Sequence, residues 1–443
     1  MIRFMPRLLL TATFVFGAFA AKAEISIQEV TSPGGFEAWL VEEPSIPFVA
    51  LELRFRGGGS LDLPGKRGAT NLMVGLLEEG AGDLDARGFA EAKESIAARI
   101  GYDSGDDTVS ISAQFLTETR DEAVALLRET LINPRFDEDA IERVRAQVLS
   151  GIRSDLRDPN AIAGTAFDAL VFQDHPYGTA REGTIETVSA LTRDDMVAAH
   201  KGALAKDRVY IAATGDISAD ELGTLLDDLL SDLPDTGLPF PEPVDVVTEA
   251  GVTVVPFETP QSVAYFGHAG LARDDPDFFA AYVMNVVLGG GGFEARLMTE
   301  VREKRGLTYG IYSYLVPKDH AALFIGSVAS ANDRIAEAIS VVQEEWAKMA
   351  RDGVTQDELS RAKTYLTGAY PLRFDGNQPI ARILVGMQMD DLGTDYVTTR
   401  NAKVEAVTQE DIARVAARLL QPDALRFVVV GQPVGLGEEA PSQ

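Results

Sequence analysis

The pattern of strands, helices and turns in this chain is written twice. In the first half an alternating run over 48–56 ends at Gly57-Gly58-Gly59 and predicts a half-buried strand. Apolar residues at helical spacing then predict helices over 68–79 and 89–100, followed by two strands over 102–115 around the hairpin signal Gly105-Asp106-Asp107. Helices over 119–131, 137–156, 160–172 and 192–203 lead to a strand at 208–214 and a helix at 219–230. The second half predicts a strand at 262–270, helices at 278–288 and 293–304, and strands at 307–316 and 322–329. Helices at 334–349, 356–370, 380–392 and 409–420 and a strand at 425–431 close it. The offset between halves is roughly 215 residues throughout, the mark of an internal repeat. The order predicts an α+β fold: two homologous domains, each a mostly antiparallel sheet with helices packed on one face, forming a two-lobed clam. Pro234, Pro239, Pro241 and Pro243 mark a linker. The expected division is 24–233, linker 234–248, 249–434, and a disordered tail at 435–443.

The N-terminus reads as a secretory signal over 1–23. Arg3 and Arg7 precede the apolar stretch Leu8 to Ala20, and Ala21-Lys22-Ala23 fits the small-x-small cleavage pattern. A periplasmic location is therefore expected, with no membrane attachment once the signal is cleaved; a retained N-terminal anchor is the alternative. The chain has no cysteine, which removes disulfides, thiolate metal sites and cysteine nucleophiles. Its formal charge of −28 opposes contact with phosphate backbones, so nucleic acid is not an expected partner.

Familiar catalytic arrangements are missing. No serine sits in Gly-x-Ser-x-Gly, and the glycine run at 289–292 lacks the Gly-Lys-Ser/Thr of a phosphate loop. Asp103, Asp106 and Asp107 read as a polar hairpin tip, and Glu78 and Glu79 as a solvated helix end. The four histidines, His175, His200, His268 and His320, are far apart in sequence, so no helical His-x-x-x-His pair exists.

What stands out is Gly289-Gly290-Gly291-Gly292, followed after a short helical segment by Arg302 and Tyr309. Consecutive glycines free the backbone for close approach to another group. Four segments accompany the run: Gly57-Gly58-Gly59-Ser60, His175-Pro176-Tyr177-Gly178, Ala213-Thr214-Gly215-Asp216 and Pro260-Gln261-Ser262. With the stretch from Leu288 to Tyr309 they resemble, in order and spacing, the pitrilysin/insulinase-type zinc peptidases, which include mitochondrial processing peptidase and the core proteins of the bc1 complex. The resemblance spans about residues 26 to 431.

The resemblance implies a zinc site of the form His-x-x-Glu-His on the first helix of the N-terminal domain, with a remote glutamate ligand. Here Asn71, Val74 and Gly75 occupy the His, Glu and His places, and Ser150 and Gly151 stand where the glutamate is expected. No cofactor is therefore expected in this chain. The resemblance assigns Arg302 and Tyr309 to transition-state stabilisation across the chamber in a partner's site, and Gly289, Gly290, Gly291 and Gly292 to contact with a substrate peptide. An edge strand could also take up the peptide, with Tyr265, Phe266 and Tyr312 lining it. The bland reading makes Arg302 a surface ion pair and Tyr309 a core residue. The implied function is a non-catalytic, substrate-positioning subunit of a heterodimeric periplasmic zinc endopeptidase, partnered by a homologous His-x-x-Glu-His subunit that holds the zinc. A structural or peptide-binding pseudopeptidase, like the bc1 core proteins, is the alternative, and a homodimer in isolation is left open.

Overall fold

The computed structural model describes residues 26–436; the expected signal segment and all but the first two residues of the expected tail lie outside the described residues. The first half runs β1 (Gln28–Thr31), β2 (Glu37–Glu42), β3 (Phe48–Arg56), α1 (Ala69–Leu76), the short hairpin β4 (Gly80–Ala81) and β5 (Leu84–Asp85), and α2 (Ala86–Ser95). It continues with β6 (Arg99–Ser104), β7 (Thr108–Leu116), α3 (Arg120–Ile132), α4 (Glu138–Asp155), α5 (Pro159–Phe172), α6 (Ile185–Ala190), α7 (Arg193–Ala203), β8 (Val209–Gly215) and α8 (Ala219–Leu230). The second half runs β9 (Gly251–Pro256), β10 (Gln261–Ala269), α9 (Phe278–Asn285), β11 (Ile311–Pro317), β12 (Ala322–Ala331) and α10 (Ile335–Asp352). It ends with α11 (Gln356–Ala369), α12 (Asn377–Met389), α13 (Tyr396–Ala406), α14 (Gln409–Leu419) and β13 (Arg426–Gly431).

Two sheets follow. The first has the order β1-β2-β8-β3-β7-β6 and the second β11-β12-β10-β13-β9. Apart from β1 they are the same sheet read from opposite ends: β6, β7, β3, β8 and β2 correspond to β11, β12, β10, β13 and β9. In each, one pair is parallel (β2 with β8, β9 with β13) and the other ladders are antiparallel. The duplication extends to helix starts. Thr192 caps α7 and Thr408 caps α14, each in a reciprocal box with an aspartate three residues on, and each helix leads into the equivalent strand.

Strand alternation decides what covers each face. Val49, Leu51, Leu53 and Phe55 of β3 pack with Leu72 and Met73 of α1 and Val144 of α4 in one core. The intervening residues point the other way, and there the cover comes from the opposite half. Leu384 and Val385 of α12 pack on Val41 and Ala212. Arg382 donates to the buried Glu52 (3.2 Å), and Gln388 donates to the Ile211 carbonyl (2.7 Å). Reciprocally, Ala163, Phe167 and Val171 of α5 pack on Val263, Val428 and Val430 of the second sheet. Helices thus lie on one face of each sheet as predicted, and the other face carries one helix lent by the other half. Sequence spacing gave α5 and α12 as helices but not this exchange.

The two equivalent hairpin tips meet. Tyr177 is buried between them, donating to Asp107 Oδ1 (2.5 Å) and accepting from the His320 amide (3.2 Å). Lys318 pairs with Asp106, and its ammonium lies 4.2 Å from the Tyr177 ring centroid. Arg56 pairs with Asp319 at 3.2 Å. The proline-rich segment is held onto this junction, with the Val244 amide on the His320 carbonyl (2.8 Å) and Arg208 over Phe240 (4.6 Å).

Three differences from the expected elements have local causes. The run 293–304 is not an α-helix but a 3₁₀ turn at Gly292–Glu294 and a π-helical turn at Met298–Glu303. β9 lies just past the linker, where Val252, Val254 and Val255 are too short a run to stand out. α13 carries few apolar residues, and its place is set by Arg400, which is buried and donates to the Leu366 carbonyl at 2.8 Å.

Two measurements test the junction. Tyr177→Phe removes a bond to a charged acceptor and is expected to lower unfolding free energy by about 1.5–3 kcal/mol in denaturant titration. Burial pushes the Asp168 carboxyl up to about 7, with Lys318 pulling the other way. A carboxyl raised on folding makes the native state bind more protons, so its cost appears as pH rises from the unfolded value through about 7. Asp168→Asn is expected to raise the melting temperature by a few degrees at pH above about 7, with the gain shrinking as pH falls.

Candidate functional site

The glycine run sits at the end of α9. That helix leaves α geometry at Val286–Gly290, which forms a π-helical turn, and a second π turn follows at Met298–Glu303. Such turns are rare and occur mostly at functional positions. A buried polar pair fixes the first: Ser313 Oγ donates to Asn285 Oδ1 (2.7 Å), and Asn285 Nδ2 donates to the Ser313 carbonyl (3.1 Å). Gly289 is buried against this pair, and a Cβ there would collide with Ser313 Oγ. The expected contact of Gly289 with a peptide is therefore corrected: this glycine is required by the turn's own packing. Gly290, Gly291 and Gly292 reach the surface, and Gly292 has φ of +64°. Arg296 anchors the far side through two bonds to Glu358 (2.7 and 2.8 Å) and one to the Gly353 carbonyl (2.9 Å). Burial opposes charge on Glu358, but the hydrogen bonds from Arg296 and the Thr355 amide hold its pKa down to about 2.

Several charges around the second turn are committed. Glu300 takes Lys304 (2.6 Å) and Arg305 (2.8 Å), and Arg334 donates to the carbonyls of Arg305 (2.9 Å) and Gly306 (3.0 Å). Arg302 differs. Among the described residues it makes no ion pair and no side-chain hydrogen bond; its guanidinium lies 4.8 Å from the Phe293 ring centroid. Tyr309 is 90% exposed and is not a core residue. The two share one open cleft of about 490 Å³ with Gln261, Glu303, Thr308 and Arg334, and Glu303 has no ion pair among the described residues. An unpaired guanidinium and a free phenol hydroxyl facing one space can donate together to an oxygen that acquires negative charge.

The expected peptide edge is less open than its position suggests. β11 is the outer strand, yet the Ile311 amide meets Met298 Sδ (3.4 Å) and Asn285 occupies the Ser313 carbonyl. The glycine turn therefore covers Ile311–Ser313, and strand addition there is blocked. Phe266 is a core residue packed on Trp346 and Phe427, and Tyr265 packs edge-on against Phe167 at 5.1 Å; only Tyr312 of the three is exposed.

In the first half, the positions that would carry a metal motif are filled otherwise. Asn71 accepts from Ser104 Oγ (3.1 Å), and Val74 is buried in the core. Gly75 backs onto α4, where a Cβ would stand 3.0 Å from Val144 Cγ1, while Ser150 and Gly151 face outward. These groups do not fit zinc, and among the described residues no cluster of three or more His, Asp or Glu could hold a metal. Glu78 and Glu79 are paired with Lys93 and Arg143. Burial depresses the pKa of His200 to about 4; its Nε2 bonds the Leu131 carbonyl at 2.9 Å. His268 accepts from the Trp346 indole (2.9 Å), and His175 and His320 are brought within 6.2 Å of each other at the hairpin junction.

Sequence reasoning missed Phe293, Asn285 and Glu358. A lone asparagine inside the apolar helical run before the glycines was the available signal for Asn285; nothing in the sequence marked the other two.

Comparison with known proteins agrees with this geometry. Residues 38–184 match the family model described as insulinase (peptidase family M16), and residues 190–366 match that of the peptidase M16 inactive domain. A protein of Helicobacter pylori described as the non-peptidase homolog YmxG is 30% identical over 334 residues, covering 75% of this chain and 77% of that protein. An uncharacterized zinc protease of Streptomyces coelicolor is 25% identical over 414 residues, covering 89% of this chain and 87% of the other. Among solved structures, a peptidase M16 inactive domain from Pseudomonas fluorescens superimposes with a TM-score of 0.87 at 28% identity, covering 94% of this chain and all of that one. With the two-sheet fold, the repeated halves and the vacated metal positions, these matches place the chain in the insulinase family, peptidase family M16, as a member without the metal-ligand set.

Proposed function

We propose that this chain is the non-catalytic, substrate-positioning subunit of a heterodimeric periplasmic zinc endopeptidase, and that it lends Arg302 and Tyr309 to the site of a zinc-bearing partner of the same family. The observation that carries the reading is the state of these two side chains. Arg302 has no ion pair among the described residues, and Tyr309 is almost fully exposed on the same cleft. Apart from the Phe293 ring beside Arg302, neither side chain is engaged within the described residues, which supports a target outside the chain.

The chemistry follows from charge development. When a peptide carbonyl is attacked, negative charge grows on its oxygen. Donors aimed at that oxygen bind the transition state more tightly than the ground state and so raise turnover. Arg302 supplies a fixed positive charge and Tyr309 a neutral O–H, both from segments pinned by Asn285–Ser313, Arg296–Glu358 and Arg334. Gly290–Gly292 reach the surface without side chains, so a peptide could approach the main chain closely there. Metal, metal ligands and general base are assigned to the partner, because Asn71, Val74, Gly75, Ser150 and Gly151 offer none.

A second reading, a pseudopeptidase with a purely structural or peptide-binding role, draws on the inactive-domain match and on the relative described as a non-peptidase homolog. The two differ in what the pair of donors does. The purified chain is expected to retain no stoichiometric zinc by elemental analysis and to hydrolyse no peptide alone. Mixed with a homologous subunit carrying His-x-x-Glu-His, it should give peptidase activity. Arg302→Ala or Tyr309→Phe should then lower kcat by about 10²–10³ with KM and co-elution little changed. Full turnover in both variants favours the structural reading.

A further inference from the structure

A second open cleft, of about 680 Å³, lies on the other side of the glycine turn, between it and α11. Val286, Val287, Phe293, Ala362 and Tyr365 give it apolar walls. Two of these are unusually open for large apolar side chains in so acidic a protein: Phe293 is 70% exposed and Tyr365 is 55% exposed. Glu358 is held by Arg296, and Glu294 lies 3.8 Å from Arg361. An apolar group would bury surface against the Val286, Phe293, Ala362 and Tyr365 side chains at about 25 cal/mol per Å².

Phe293 lines this cleft and touches Arg302, which lines the first. One face of the site holds Arg302 at 4.8 Å from its ring centroid, and the same ring forms a wall of the apolar cleft. A cation over an aromatic face is attracted by the ring quadrupole. The ring therefore links what enters the apolar cleft to where the guanidinium stands. Gly291 lines the apolar cleft, so a peptide entering it meets the glycine turn there.

We propose that the cleft between the glycine turn and α11 is a specificity pocket for a large apolar side chain of the peptide whose carbonyl Arg302 and Tyr309 address, with Phe293 the positioning residue that joins the two. This rests on the function proposed above for the pair and adds the substrate class: peptides with a bulky uncharged side chain near the cleaved bond.

The test uses binding, so it needs no partner subunit. The probe is a fluorescein-labelled dodecapeptide of Ser, Gly and Ala with one central residue set to Phe, Leu, Ala or Asp, titrated against the full chain by fluorescence anisotropy. The expected order is Phe and Leu tightest, Ala weaker and Asp weakest, with at least a tenfold gap between Phe and Asp. Tyr365→Ser and Phe293→Ala should shrink that gap to below threefold, while Phe293→Tyr should preserve it. Circular dichroism melting confirms that each variant is folded, and Tyr365 and Phe293 are exposed enough for substitution to spare the core. No binding by the wild-type chain, no preference for Phe over Asp, or an unchanged preference in folded Tyr365→Ser and Phe293→Ala overturns the proposal. Failure of the function proposed above would show separately, as undiminished turnover in the reconstituted Arg302→Ala pair.

Discussion

Everything in this molecule depends on the exchange of one helix between its halves. Each sheet is covered by its own helices on one face only. α12 covers the second face of the first sheet and α5 that of the second, each burying residues that would otherwise meet water. The two halves are thereby parts of one folded body. Hairpin tips that would be solvated in an isolated domain are pressed together, with Tyr177 between Asp107 and the His320 amide. A rigid two-lobed frame of this kind can hold a surface group in a fixed direction.

On that frame, the C-terminal half spends its polar groups on making an irregular turn permanent. A helix that switches from α to π geometry loses regular hydrogen bonding and needs other support. Asn285 with Ser313 and Arg296 with Glu358 give it, from two sides, and Gly289 lets the chain approach Ser313 closely. Arg302 and Tyr309 remain outside this economy of pairs. In the first half the equivalent helix has gone the other way: its family-specific polar positions hold an asparagine bonded to Ser104, a core valine and a glycine against α4. The second half presents Arg302 and Tyr309 on an open cleft, and in the first half the corresponding helix serves packing.

Much of the fold was legible because it is carried by periodicity. β3, α8 and the β6–β7 hairpin follow from alternation, helical spacing and the turn at Gly105-Asp106-Asp107, and the repeat of the pattern gave the two sheets. The helix exchange was not legible, since an apolar stripe says that a face is buried and not against what. The turns at 292–294 and 298–303 were read as one helix because π and 3₁₀ turns share the composition of α-helix. The loss of the metal set was visible residue by residue at Asn71, Val74 and Gly75. The place of Phe293 between Arg302 and the second cleft was invisible, because that cleft depends on α11, more than sixty residues later in the chain.

The central claim is that Arg302 and Tyr309 act on a transition state formed in another subunit. The most direct measurement compares the affinity of the reconstituted pair for a tetrahedral phosphinic peptide with its affinity for the matching uncleaved peptide, in wild type and Arg302→Ala. The account predicts that the variant loses about a hundredfold in affinity for the tetrahedral analogue and little for the substrate. Unchanged binding of the analogue, or an equal loss for both ligands, would contradict it.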